Sequence, residues 1–280
     1  MKRLLSVMLI LSLTLAFFAC GEKKESKNNP FADTAQDAAK TTEPVTETEP
    51  PEETEPASPA DLVEVPEVTF TNDLSAFEEY MDPADRDGFL ILANKEHELG
   101  ESYIPADLVE IANTRQDGRA TAKMVKTAAK ALEALYLEMY SAGYTDVSVT
   151  SAYRSYADQK YIFDGFYNQN LAAGYDEETA LAMVLSDTAA PGTSEHQTGL
   201  CCDMHNYPSA TTEFKNEAAY TWLCDNAWKF GFILRYPEDK VDITGYTFEP
   251  WHYRFVGRYH AAKIHALGIC LEEYLDMIGS

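Results

Sequence analysis

The stretch Ser194-Glu195-His196-Gln197-Thr198-Gly199-Leu200-Cys201-Cys202-Asp203 decides how the chain is read, together with Glu249-Pro250-Trp251-His252 further on. His196, Asp203 and His252 are the donor types that hold a catalytic zinc ion, which takes three protein ligands and keeps a fourth position for water. A further carboxylate, Glu249, stands three residues before the last imidazole, where it can take a proton from that water. No His-Glu-x-x-His helix occurs, so the ligands must come from two separate segments that the fold brings together. Taken singly, either His is more often an ordinary polar residue than a ligand; the combination points to a hydrolase.

Outward from this stretch, Leu200 to Asp203 reads as a short core strand that aims Asp203 into a site, with Ala190-Pro191-Gly192-Thr193 as the loop delivering Ser194. His205 shares the face of Asp203 and is read as a neighbour or a surface residue, because three ligands are already present. Upstream, Asp176 to Asp187 is helical in pattern, and Val147 to Thr150 alternates like a strand. Ser155 with Asp158 marks a helix start close to a capping box, which puts Arg154 at a strand-to-helix junction. Arg119 to Tyr140 is expected to be one amphipathic helix, and Leu74 to Ala93 two short helical pieces around Asp82-Pro83. Downstream, Phe214 to Phe230 is helical, Gly231 ends it, Phe232 to Arg235 resumes a strand, and Arg258 to Met277 is helical again. His260 and His265 in that tail lack a carboxylate at motif spacing and are assigned to packing or solvent. The pattern is α+β: a single domain with a small antiparallel sheet flanked by helices.

The chain starts with Met1-Lys2-Arg3 and an apolar run from Leu4 to Phe18, too short to span a bilayer and shaped like a secretory signal. Cys20 after Ala19 is similar to a lipoprotein cleavage box, so residues 1–20 are expected to be a signal peptide and Cys20 a lipidated anchor to the outer face of the cell membrane. Residues 21–64 are expected to form a disordered tether: six of the thirteen prolines fall within 21–60, among many Thr and Glu. Residues 65–280 then form the folded domain. The 46 acidic against 22 basic residues of the whole chain exclude a basic nucleic-acid surface and leave substrate capture to local groups such as Arg154. Outside the cell, Cys201, Cys202, Cys224 and Cys270 permit disulfides in three pairings, though Cys201 and Cys202 on a strand point to opposite faces. A cysteine ligand to zinc is chemically possible, and ranks below the His/Asp/His set.

The pattern Ser-x-His-x-x-Gly-x-x-x-Asp followed by Glu-x-Trp-His resembles the zinc D-alanyl-D-alanine carboxypeptidases of the VanY type, whose relatives include VanX dipeptidases and L,D-carboxypeptidases. Ser151 to Gln159, Phe232 to Pro237, Asp242 to Tyr246 and Glu249 to Arg254 extend the resemblance over roughly residues 85–270. One departure is visible: Cys201 stands where the family often has Ala. The resemblance implies a LAS-type zinc peptidase core, one zinc ion held by His196, Asp203 and His252, Glu249 as general base, and Arg154 stabilising the reacting carbonyl. It also implies that Ser194 and Gln159 hold the terminal carboxylate of a peptidoglycan stem peptide. Tyr153 and Tyr246 are expected to wall the pocket and Trp251 to pack the loop. The protein is expected to act as a monomer. The alternatives left open are an L,D-carboxypeptidase, a peptidoglycan endopeptidase, and a lipoprotein that binds wall peptides without cutting them.

Overall fold

The computed structural model describes residues 58–279. The expected signal peptide, Cys20 and most of the expected tether lie outside the described residues. The tether's last residues differ from expectation: Pro59–Leu62 form a 3-10 turn capped by Ser58 and Asp61, and Ala60 is buried. Ser58 Oγ donates to Met277 O at 2.9 Å, which ties this turn to the domain.

In chain order the elements are α1 (Glu78–Met81), β1 (Leu108–Glu110), β2 (Lys123–Val125), α2 (Lys126–Ser141), β3 (Ser148–Ser151), α3 (Tyr156–Ala172), α4 (Glu177–Asp187), β4 (Cys201–His205), α5 (Ala218–Asn226), β5 (Phe232–Leu234), α6 (Val241–Thr244), β6 (His252–Phe255), α7 (Arg258–Leu267) and α8 (Leu271–Ile278). Strands β3, β4, β6 and β5 form an antiparallel sheet in that spatial order, and β1 pairs with β2 in a separate ribbon.

The sheet's two faces divide the labour. Because side chains alternate along a strand, Val149, Cys202, Met204, Phe232, Tyr253 and Phe255 share one face. They belong to the same core cluster as Leu132, Leu135, Tyr136 and Met139 of α2. Each such large apolar side chain contributes about 1.5–3 kcal/mol by leaving water. The opposite face carries Cys201, Asp203 and His205 from β4 and His252 and Arg254 from β6, with Asp203 directly across from His252. A core sheet thus presents a polar row on its far side.

Three helix expectations shift. The helix expected over 119–140 begins only at Lys126, because Lys123 to Val125 pair with β1 and the Val125 N–H donates to Gly199 O at 2.9 Å. Met124 is fully buried as a strand residue, so its apolarity served a period of two and not of 3.6. The piece over 74–93 is reduced to α1 and two 3-10 turns, Ser75–Phe77 and Asp87–Phe89, on either side of Pro83. The C-terminal helix is two helices parted at Gly268, whose φ of 64° stops α7. By contrast, the capping box of Ser155 and Asp158 opens α3 as expected, and Asp176 caps α4. All four described cysteines are free, with Cys201 and Cys202 on opposite faces.

Candidate active site

His196 lies in a buried 3-10 turn, Glu195–Thr198, that delivers the chain into β4. Gly199 makes the exit with φ 67°, and a Cβ there would meet Leu108 Cδ2 at 3.0 Å and Pro105 Cγ at 3.1 Å. The turn is fixed from inside: Thr198 Oγ donates to Glu195 O at 2.7 Å, and Gln197 Nε2 donates to Gly100 O at 3.0 Å. Across the sheet, Glu249 is held by its N–H donating to Tyr236 O at 3.2 Å, and His252 N–H donates back to Glu249 O at 3.1 Å. These backbone bonds aim His196, Asp203, Glu249 and His252 at one pocket of about 180 Å³.

Inside the pocket His196 Nε2 lies 3.5 Å from Asp203 Oδ2, and His252 Nδ1 lies 3.2 Å from Asp203 Oδ1 and 3.4 Å from Glu249 Oε2. His196 Nδ1 donates to Ala152 O at 2.7 Å, which leaves the Nε2 lone pair free for the pocket. His252 Nε2 is 3.0 Å from Glu195 Oε2, which leaves Nδ1 facing inward. Asp203 Oδ1 is buried without a well-formed hydrogen bond. An orphaned carboxylate oxygen between two inward imidazole nitrogens fits a divalent cation, so the residues present suit zinc. Cys201 also reaches this cluster: His196, Cys201 and His252 offer donor atoms within 4.8 Å of one another. Asp203 remains the better third ligand, because it is already an anion whereas burial pushes the Cys201 thiol up.

The electrostatics follow from burial and close charges. Burial lowers His196 to about 3, helped by Arg154, so it is neutral. Asp203 is held down at about 2: burial opposes ionisation, but the nearby His196, His252 and Arg154 outweigh it. Glu249 is pushed up to about 7, first by burial and then by Asp203 and Glu195, against the pull of His252 and Arg154. That is the range in which a carboxylate both accepts and returns a proton near neutrality.

Behind His252 stands a charge network that sequence reasoning missed. Glu195, fully buried, accepts from Arg254 Nη1 at 2.6 Å and from Arg235 Nε at 2.7 Å as well as contacting His252. Arg235 forks onto Glu272 of α8 at 2.8 and 2.7 Å, and Arg254 Nη2 donates to Phe89 O and Ile91 O at 2.8 and 2.7 Å. The available signal was a carboxylate directly before a ligand-type His.

Arg154, Ser194, Tyr246 and Trp251 line the pocket. Gln159 lines it too; one N–H of its Nε2 is committed to Ala189 O at 2.6 Å and its Oε1 is buried without a partner, so the free acceptor is what it chiefly offers the substrate. Tyr153 faces a neighbouring cavity instead. His205 is buried and not at the surface, with Nε2 3.1 Å from Thr150 Oγ. His260 is buried against Tyr274, while His265 stacks on Trp228.

Two imidazoles, a carboxylate and a poised second carboxylate gathered in one pocket define a metal-dependent hydrolase site. The profile of the family described as VanY, D-alanyl-D-alanine carboxypeptidase, matches residues 121–258. The chain is 35% identical over 217 residues to the putative carboxypeptidase YodJ of Bacillus subtilis (strain 168), covering 76% of each protein. It is 32% identical over 194 residues to the bifunctional D-Ala-D-Ala dipeptidase and D-Ala-D-Ala carboxypeptidase VanXYC of Enterococcus gallinarum, covering 68% of this chain and 94% of that one. Among solved structures it resembles the LD-carboxypeptidase LdcB, with TM-score 0.61, 35% identity and coverage of 69% and 88%. It also resembles the vancomycin-resistance D,D-pentapeptidase VanY in complex with Zn(II), with TM-score 0.56, 37% identity and coverage of 67% and 98%. The chain belongs to the VanY family, and its fold is the LAS-type zinc peptidase fold.

Proposed function

We propose that this protein is a zinc-dependent D-alanyl-D-alanine carboxypeptidase that removes the C-terminal D-Ala from peptidoglycan stem peptides. The observation that carries the reading is Glu249 Oε2 at 3.4 Å from the inward nitrogen of His252, with its carboxyl near 7, in a pocket shared with His196 and Asp203. In our reading His196 through Nε2, Asp203 and His252 through Nδ1 hold one zinc ion. When bound, zinc supplies a Lewis acid that lowers the pKa of water and polarises the scissile carbonyl. Glu249 accepts a proton from the attacking water and delivers it to the leaving amino group of D-Ala. Arg154, whose buried Nε lacks a partner, donates to the carbonyl oxygen as negative charge develops there. Ser194 donates its hydroxyl to the terminal carboxylate, and Gln159 Oε1 accepts an N–H of the substrate. Glu195 takes the far N–H of His252 and so keeps Nδ1 turned to the metal.

The second reading is an L,D-carboxypeptidase, favoured by the likeness to LdcB. Mass spectrometry after incubating the zinc-loaded protein with a stem pentapeptide ending in D-Ala-D-Ala, and with the matching tetrapeptide, separates the two. Loss of one alanine from the pentapeptide alone, blocked by a chelator, is the expected result. Loss from the tetrapeptide moves the assignment to the L,D enzyme.

We also propose that Cys20 is lipidated and holds a monomeric enzyme at the outer face of the membrane. The support is the short apolar run Leu4 to Phe18 ending at Ala19-Cys20. Cys20→Ser should release the protein from the membrane fraction; retention there would overturn the anchor.

A further inference from the structure

Beside the catalytic pocket lies a second cavity of about 310 Å³, lined by Arg119, Lys123, Ser151, Tyr153, Arg154 and Asp158. Arg154 is the one residue that lines both hollows. Arg119, Lys123 and Arg154 against Asp158 and the Asp117 paired to Arg119 leave a local positive excess on a chain that carries 46 acidic against 22 basic residues. The charges there are only partly spent. Arg119 is paired with Asp117 through Nε at 2.7 Å and Nη2 at 2.5 Å and also donates to Thr150 O, which fixes its fork in place. Asp158 Oδ2 is turned to the Ser155 hydroxyl at 2.6 Å, where it caps α3. Among the described residues no carboxylate lies within ion-pair distance of Lys123 or Arg154. The Tyr153 N–H donates to Lys123 O at 2.8 Å, so these two residues are held side by side.

We propose that this cavity is a subsite for a carboxylate carried by the stem peptide upstream of the scissile bond. The inference rests on the peptidase reading above. In that reading the departing residue occupies the catalytic pocket beside Ser194, so the rest of the peptide leaves past Arg154, the shared wall. An acidic upstream residue then lies against Lys123 and Arg119, with the Ser151 and Tyr153 hydroxyls as neutral donors. The need for such a site follows from the field of the whole protein, which repels anions at a distance and leaves their capture to local cations.

The test uses two pentapeptides ending in D-Ala-D-Ala, identical except that one upstream acidic residue carries a free carboxylate in the first and a carboxamide in the second. The zinc-loaded wild type should prefer the carboxylate by roughly fivefold in kcat/KM, the size expected for a partly exposed charge pair. Lys123→Ala should bring that ratio close to one through KM, Lys123→Glu should invert it, and added salt should shrink it. The same peptides are then titrated calorimetrically into zinc-loaded Glu249→Ala protein, which reads binding without turnover. A wild-type ratio near one in both assays, or a ratio that Lys123→Glu leaves unchanged, overturns the subsite. Failure to cleave either peptide, with the carboxylate preference intact in the titration, overturns the peptidase reading and leaves the subsite standing.

Discussion

His252 Nε2 lies 3.0 Å from Oε2 of Glu195, and that carboxylate is wholly buried between the guanidinium groups of Arg235 and Arg254. Both arginine side chains are themselves fully buried, and among the described residues only Glu195 and Glu272 form ion pairs with them. Burial pushes the Glu195 carboxyl up, but the two arginines override it and keep it ionised, well below the ordinary carboxylate range. One side chain therefore holds the fold's interior charge in balance and orients the imidazole that the proposed mechanism gives to the metal. Glu195→Gln should destabilise the protein by about 3–5 kcal/mol, measured by denaturant unfolding, because it breaks a buried charge network. At temperatures where the variant stays folded, zinc affinity measured by chelator competition should fall roughly 10- to 100-fold. Glu272→Gln acts one step further out through Arg235 and should produce a smaller loss of both.

Glu249→Ala should keep its zinc and lose turnover. His196, Asp203 and His252 are untouched, so metal content by atomic absorption should equal that of the wild type. Loss of the proton shuttle should lower kcat by about 10²- to 10⁴-fold. Persistent hydrolysis in the metal-replete variant would sink the general-base assignment.

The metal-free protein should lose stability as pH rises through the Glu249 window. Its carboxyl is raised from 4.5 to about 7 in the folded state, with burial as the leading cause. Between those values the native state holds a proton that the unfolded chain has released, so folding is favoured at the acid end. The advantage fades as pH climbs through about 7, and its full size is at most about 3 kcal/mol. Thermal melts of the metal-free wild type and Glu249→Gln isolate this group. The melting temperature of the variant should gain on that of the wild type from about pH 4.5 to about pH 7 and then run parallel to it. Parallel curves throughout would mean that Glu249 titrates normally.

Gly199→Ala should destabilise by more than the ordinary glycine-to-alanine difference. Its φ of 67° disfavours any side chain, and the new Cβ would press on Leu108 and Pro105. A loss of about 1–3 kcal/mol is expected from backbone strain. Because the turn carries His196, zinc affinity should drop with it; a variant as stable as the wild type would show that the turn relaxes freely.

What the sequence disclosed depended on whether a residue's partner was near it in the chain. His196 and Asp203 are joined by one turn and one strand, and Glu249 and His252 by a three-residue spacing, so their shared site is legible in the sequence alone. The start of α3 was equally plain, because a capping box is a local device. The β1–β2 ribbon was not, because Ala122 and Met124 suit a helix face as well as a buried strand until β1 is known to lie beside them. Glu195, Arg235, Arg254 and Glu272 look like ordinary surface charges in the sequence. Only the fold, which joins them across tens of residues, shows that they are interior.

The network behind His252 also sets when the site can exist. Arg254 bonds to carbonyls of Phe89 and Ile91, more than 160 residues away, and Asn94 reaches Glu272 across 178. Contacts of such separation form late, after local helices and hairpins, because each closes a long loop before it returns any stabilisation. The imidazoles are therefore aimed only when the domain is nearly complete. On the proposed ligand set, a chain still folding offers only scattered His, Asp and Glu side chains, so metal capture should report that folding has finished.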